Sequence, residues 1–266
     1  MHIPKYFFLV LFSLVSLGTA CSVGNSAATK TGNQPRTLVM GTSADYPPFE
    51  FRKHGEVVGL DIDIAREICN ELGYDLKIQN MDFNALIPAL DSGHVDFAMS
   101  GLTITEERKE NLAFSEVYFQ NSLALLIGPK VQFAEEKDFA NKKIGAQLGS
   151  TMERVGKEKV KKYPGLQLIA LSTNTILIED LKSRRLDGVI VEKAQARAFV
   201  KVFPDLRVLE FPGLNPAGSD GYAVAFPRGT KRSSEVQLEF KHVLEKLKQN
   251  GKLQEIQKKW LEEVNA

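Results

Sequence analysis

Leu86-Ile87-Pro88-Ala89-Leu90-Asp91-Ser92-Gly93-His94-Val95-Asp96 and Leu177-Ile178-Glu179-Asp180-Leu181-Lys182-Ser183-Arg184-Arg185-Leu186-Asp187 share their apolar spacing, a serine and a closing aspartate. Each reads as a helix running into a short apolar strand, over 97–99 in the first case and 188–191 in the second. Shared architecture explains the echo at least as well as common descent. Two similar series of alternating strands and helices therefore lie in one chain, which is the signature of α/β domains with mostly parallel sheets.

The first series starts with a strand over 38–42 and a hairpin around His54-Gly55. A helix follows in which Leu60, Ile64, Ile68 and Leu72 share one face, with Asp61 as its expected cap and Gly73 as its stop. A strand over 76–79 and a short helix over 85–90 complete it. The second series, after Gly128-Pro129, has strands over 143–146, 166–170 and 188–191 and helices over 151–162 and 175–182. A strand over 222–226 follows a Gly/Pro/Asn/Ser-rich stretch, and two amphipathic helices separated by Asn250-Gly251 end the chain. The expected organisation is a signal peptide over 1–20, a flexible tether over 21–36, a first lobe over 37–120 and 219–266, and a second lobe over 121–218. Two chain crossings between lobes make a hinge.

At 43% apolar and 25% charged, 266 residues suffice for one large domain or two small ones, and disorder is not the default. The formal net charge of +1, with both signs interspersed, gives no surface suited to nucleic acid, so a small-molecule partner is the better expectation. The apolar run over 6–17 is too short to span a bilayer. With His2, Lys5 and Leu17-Gly18-Thr19-Ala20-Cys21 around it, it reads as an export signal. The arrangement resembles a lipoprotein signal with Cys21 lipidated; Gly18 and Ala20 also suit ordinary signal peptidase cleavage. Cys69, the only other cysteine, lies in a helical apolar stripe and reads as a buried small hydrophobe. Trp260, with Leu253 and Ile256, reads as core, and the lysines over 157–162 as a solvated helix face. No metal-ligand spacing, Walker A, Rossmann glycine pattern or nucleophile elbow occurs, so neither metal nor cofactor is expected.

In open α/β sheets ligands bind beyond the carboxyl ends of the strands. The segments there are polar: Ser43-Ala44-Asp45-Tyr46, Ser100-Gly101-Leu102-Thr103, Gln147-Leu148-Gly149-Ser150-Thr151 and Glu192. Thr103-Ile104-Thr105-Glu106 has capping-box spacing, so a helix is expected to start near Thr105 with Arg108 in its first turn. A cation there opposes the helix dipole unless an anion sits beside it, and a guanidinium can hold a carboxylate through two parallel bonds. The plainer alternative pairs Arg108 with Glu50, Glu110 or solvent.

Several motifs in order resemble the polar amino acid family of extracellular solute-binding proteins. They are Gly41-Thr42-Ser43-Ala44-Asp45-Tyr46-Pro47-Pro48-Phe49-Glu50-Phe51, Gly59-Leu60-Asp61-Ile62-Asp63-Ile64-Ala65, and Ser100 through Arg108 with Phe114-Ser115-Glu116-Val117-Tyr118. Arginine-binding, lysine/arginine/ornithine-binding and glutamine-binding members are the nearest likenesses. The resemblance implies a two-lobed α/β fold of the periplasmic-binding-protein type II kind and a non-enzymatic role as the substrate-binding component of an ABC importer. The partners implied are a free amino acid and a membrane permease. It further implies a periplasmic or cell-surface monomer, in contact with the membrane only through a lipid anchor at Cys21.

By the same resemblance Arg108 binds the ligand carboxylate, helped by the Thr103 hydroxyl and backbone groups of Ser100 and Gly101. Thr151 adds contacts from the other lobe, Glu192 takes the α-ammonium, and Tyr46 and Phe83 line the side-chain slot. Arg108 and Glu192 cancel a zwitterion, which leaves Asp45 wanting a positive partner if it faces the cleft. Arginine between two aromatic faces supplies one, with Gln147 in reach. Asp45 reads equally as a turn residue before Pro47-Pro48. Glutamine or another polar amino acid is the alternative ligand. A cyclohexadienyl-dehydratase-like enzyme on the same fold is the more distant one. A sensor domain is not expected, because no transmembrane or kinase segment follows Ala266.

Overall fold

A computed structural model describes residues 36–215 and 221–265. The expected signal peptide, the lipidation site Cys21 and nearly all of the tether lie outside the described residues, as does the return crossing near residue 219. Strand β1 (Thr37–Thr42) is buried on both faces, as its apolar run requires, and it becomes a central strand. A small antiparallel sheet follows, made of β2 (Asp45–Tyr46), β3 (Glu50–Lys53) and β4 (Glu56–Val58). Helix α1 (Leu60–Leu72) buries Leu60, Ile64, Ile68 and Cys69 and stops at Gly73, which sits in the left-handed region at φ 70°.

Asp61 does not cap that helix. Gly59 precedes it at φ 138°, where a Cβ would lie 2.0 Å from the Phe49 carbonyl oxygen, and Asp61 turns inward to full burial. The chain continues through β5 (Asp75–Asn80), α2 (Leu86–Asp91), β6 (Phe97–Ala98), α3 (Glu106–Asn111) and β7 (Leu112–Phe114). It then crosses to β8 (Leu123–Ile127), β9 (Lys143–Gln147), α4 (Thr151–Lys162), β10 (Gln167–Leu171), α5 (Asn174–Lys182), β11 (Gly188–Glu192), α6 (Lys193–Val202) and β12 (Arg207–Leu209). It returns for β13 (Ala225–Pro227), α7 (Lys231–Gln249) and α8 (Lys252–Asn265). The strand expected over 222–226 is shorter than its apolar pattern, because Tyr222 makes only isolated bridges to Thr103 and Phe119.

The two five-stranded sheets have matching orders, β5-β1-β6-β13-β7 and β10-β9-β11-β8-β12. In each, one strand runs against its neighbours, and it is the first strand after a crossing: β8 on entry to the second sheet, β13 on return to the first. The repeated motif explains the rest of the match. Asp96 donates its backbone N–H to the Val39 carbonyl and accepts the Val39 N–H on its carboxylate, each at 2.8 Å; Asp187 does the same with Lys143, again at 2.8 Å. Each aspartate thus pins the loop after a helix to a central strand.

Trp260 and Cys69 are buried, and the surrounding apolar atoms push the Cys69 thiol up to about 12. Lys159 departs from the expected solvated face. It is buried, and its ammonium meets the Glu136 carboxylate at 3.1 Å. Among the described residues, no helix is long and apolar enough to cross a membrane.

Candidate functional site

The segments after β1, β6 and β9 converge on a small gap between the two sheets. Its walls are Tyr46, Phe83, Ser100, Gly101, Thr103, Arg108, Gln147, Ser150, Thr151 and Met152. Eight of these ten are residues singled out in the sequence. Ser150 and Met152 were not; Ser150 carries a legible signal, since it stands directly before a helix start.

Arg108 owes its position to a short helix. Thr105 is the N-cap of α3, and its hydroxyl accepts the Arg108 N–H at 3.2 Å, so the cap lies two residues later than the Thr103 to Glu106 spacing implies. The guanidinium is buried, donates to the Thr103 carbonyl at 2.8 Å and the Gly149 carbonyl at 3.1 Å, and lies 5.7 Å from the centre of the Phe83 ring. Burial brings its pKa down to about 10, so it stays cationic at neutral pH. Among the described residues it forms no ion pair with Glu50 or Glu110. A guanidinium has five N–H donors, and two carbonyls leave several to spare.

The opposite wall comes from β9 and α4. Ser150 caps α4, accepting the Glu153 N–H at 3.2 Å, which sets Thr151 in the first helical turn where backbone N–H groups lack helical partners. The Thr151 hydroxyl donates to the Met152 sulfur at 3.6 Å, and the Gln147 amide donates to the Ser172 carbonyl at 3.4 Å, both long contacts. Both side chains are therefore weakly committed.

Tyr46, Ser100 and Gly101 are held from behind. The Tyr46 and Tyr222 hydroxyls are 3.1 Å apart, and Tyr222 packs edge-on to Phe49. The Ser100 hydroxyl donates to Glu50 at 2.8 Å and accepts from the Ser43 N–H at 3.0 Å. The Gly101 N–H donates to Asp61 at 2.9 Å. The Ser100 hydroxyl proton and the Gly101 N–H are therefore spent away from the gap, on Glu50 and Asp61.

Two predicted residues lie outside the walls. Asp45 accepts the backbone N–H and side-chain amide of Asn174 at 2.6 and 3.2 Å, so it clasps the start of α5; burial raises its pKa. Glu192 is the N-cap of α6, accepting from Ala194 and Gln195 N–H groups at 2.6 and 3.1 Å. Burial lifts it to about 7, and its charge bears on the Tyr46 hydroxyl. Asn174 was not legible as a partner, since nothing local distinguishes it from any residue at a helix start.

The chain is 35% identical to an arginine-binding extracellular protein of Bacillus subtilis, over 96% of this chain and 97% of that protein. Two solved structures are alike in fold at a TM-score of 0.77. One is an ancestral arginine-binding protein bound to arginine, 35% identical, covering 84% of this chain and 97% of that one. The other is an ancestral arginine-binding protein bound to glutamine, 34% identical, covering 85% and 98%. Residues 38–263 match the family model for these proteins. With its paired sheets, its polar gap and that match, the chain belongs to the bacterial extracellular solute-binding proteins, family 3.

Proposed function

We propose that this chain captures one free amino acid, arginine, outside the cytoplasm and delivers it to the membrane permease of an ABC importer. The observation that carries the choice of ligand is a charge imbalance. The acids behind the gap's walls are the Glu50–Asp61 pair, Glu192 and the half-buried Asp45, against one buried cation in the walls, Arg108, so the acids are in surplus even when that pair is counted as a single charge. A ligand with a net positive charge complements such a surplus, whereas a neutral one does not. The names of the relatives point the same way.

In this reading the ligand carboxylate meets Arg108, Thr103 and the first turn of α4 at Thr151. Its ammonium meets the backbone carbonyl face of Ser100 and Gly101, within the field of Glu192. Tyr46 and Phe83 flank the side chain, Gln147 bonds it, and Asp45 acts through its charge and its hold on Asn174. Lobe closure follows from tighter ligand contact in the closed state. Export through the N-terminal signal, anchorage through a lipid on Cys21, a monomeric state and the absence of catalysis belong to the same proposal.

Glutamine is the second reading. Asp45 and Glu192 spend their oxygens on N–H groups of α5 and α6, so a neutral side chain would strand no bare carboxylate. Calorimetry against a panel of free amino acids decides: arginine should bind most tightly, tighter glutamine binding selects the second reading, and no heat with any amino acid overturns both.

A further inference from the structure

Behind the Ser100-Gly101 segment lie two carboxyl groups, Glu50 from β3 and Asp61 from α1, both fully buried. Among the described residues, three donors reach them. Glu50 Oε1 accepts from the Ser100 hydroxyl at 2.8 Å, and Asp61 Oδ2 accepts from the Gly101 N–H at 2.9 Å and the Tyr118 hydroxyl at 2.7 Å. The remaining oxygens, Glu50 Oε2 and Asp61 Oδ1, are fully buried and are reached by no donor. Two fully buried carboxyl groups tied to the adjacent residues Ser100 and Gly101, each with an oxygen that no donor reaches, lack a hydrogen that only a proton on one of the pair can supply. We propose that Glu50 and Asp61 share one proton and, as a single acid–carboxylate pair, are the positioning residues that turn the Ser100-Gly101 peptide toward the ligand's ammonium.

The peptide geometry supplies the link. The Ser100-Gly101 bond is trans, so the Ser100 carbonyl points opposite to the Gly101 N–H. With that N–H drawn back to Asp61, the carbonyl is turned away from the pair, on the side of the gap that Ser100 lines. Gly101 completes the turn at φ +52°, where a Cβ would come within 3.1 Å of the Tyr46 ring and 3.2 Å of the Tyr222 ring. Facing the pair are Asp45, Tyr46, Tyr118 and Tyr222, none of them cationic. Among the described residues, neither carboxyl pairs with a Lys or Arg. Burial first, then the Asp61 charge, holds Glu50 well above the usual carboxylate range, and burial lifts Asp61 to about 6. Two bare charges here would repel each other and face no compensating cation.

This inference rests on the proposed amino-acid binding for its role, but the shared proton can be read without ligand. Infrared spectra of the ligand-free protein at about pH 8 should contain a protonated-carboxyl carbonyl band that is lost in both Glu50→Gln and Asp61→Asn and retained in Glu192→Gln. Glu50→Gln keeps a donor for Asp61 and an acceptor for Ser100, so it should bind arginine within about twofold of the parent, whereas Glu50→Leu should bind about tenfold or more weakly. Absence of the band, or its survival in the first two variants, removes the shared proton; parent-like binding by Glu50→Leu removes the positioning role. Should Glu50→Leu not fold, Ser100→Ala, which cuts the same link from the other side, takes its place with the same expected loss. A parent that binds no amino acid but shows the band refutes the proposed function and leaves the proton-sharing pair standing.

Discussion

The Asp45 carboxylate reaches across 129 positions of sequence to accept both N–H groups of Asn174, at 2.6 and 3.2 Å. One residue follows β1 of the first sheet and the other opens α5, which packs on the second, so the pair ties the two lobes together. A carboxylate at a helix start is favoured by the helix dipole, and charge-assisted bonds are stronger than neutral ones. Asn174→Ala should weaken arginine and glutamine equally, by about 1 to 2 kcal/mol, because it acts on closure. Asp45→Asn should cost arginine more than glutamine, because it also removes a charge. Calorimetry on the two variants separates these effects; equal losses in both would leave Asp45 as a latch alone.

Arg108 is the buried cation of the gap, and its substitution leaves the ligand carboxylate without a partner. Arg108→Ala should lower affinity for every amino acid by about 3 kcal/mol or more, and Arg108→Lys should recover only part, since an ammonium cannot make two parallel bonds. Direct titration reads both. Selective loss of arginine alone would assign the guanidinium to side-chain recognition instead.

Glu192 links pH to stability. Burial raises it from the ordinary 4.5 to about 7, so the folded state prefers the protonated form. The stability it contributes is complete below about pH 4.5 and is lost as pH rises through about 7. At about 1.4 kcal/mol per pH unit, the effect is on the order of 3 kcal/mol. Glu192→Gln should therefore gain stability relative to the parent as pH rises across that window, as measured by urea unfolding. A constant difference would contradict the burial argument.

Arg184 stands where the first repeat has Gly93, and both occupy the left-handed region, at φ 61° and 70°. An L-residue there costs roughly 1 kcal/mol that glycine avoids. Arg184→Gly should raise stability by about 0.5 to 1 kcal/mol without changing affinity, the gain being trimmed by the looser unfolded chain. A fall in the urea midpoint would show that the side chain contributes more than its backbone costs.

Helices and strands were legible because their causes are local. The spacing of Leu60, Ile64 and Ile68, the stop at Gly73, and the serine before Thr151 each act within a few residues. The repeated motif ending in Asp96 and Asp187 disclosed two like halves for the same reason, since each aspartate bonds one strand neighbour in the same manner. Most of the gap's walls followed, because loops at strand ends must lie at one edge of a parallel sheet. Asp61 was misread as a cap because a carboxylate near a helix start is indistinguishable, by local pattern, from one turned into the core.

By itself the sequence determined the two α/β units, the edge at which polar residues gather and the helix turn that carries Arg108. Only the tertiary structure decided which acids are already engaged: Asp45 with Asn174, Glu192 with the first turn of α6, Glu50 with Ser100, and Asp61 with Gly101. The physical reason is distance along the chain. Backbone periodicity is settled among neighbours, but the partner of a buried charge is whatever long-range packing brings within 3 Å, and no local pattern encodes that.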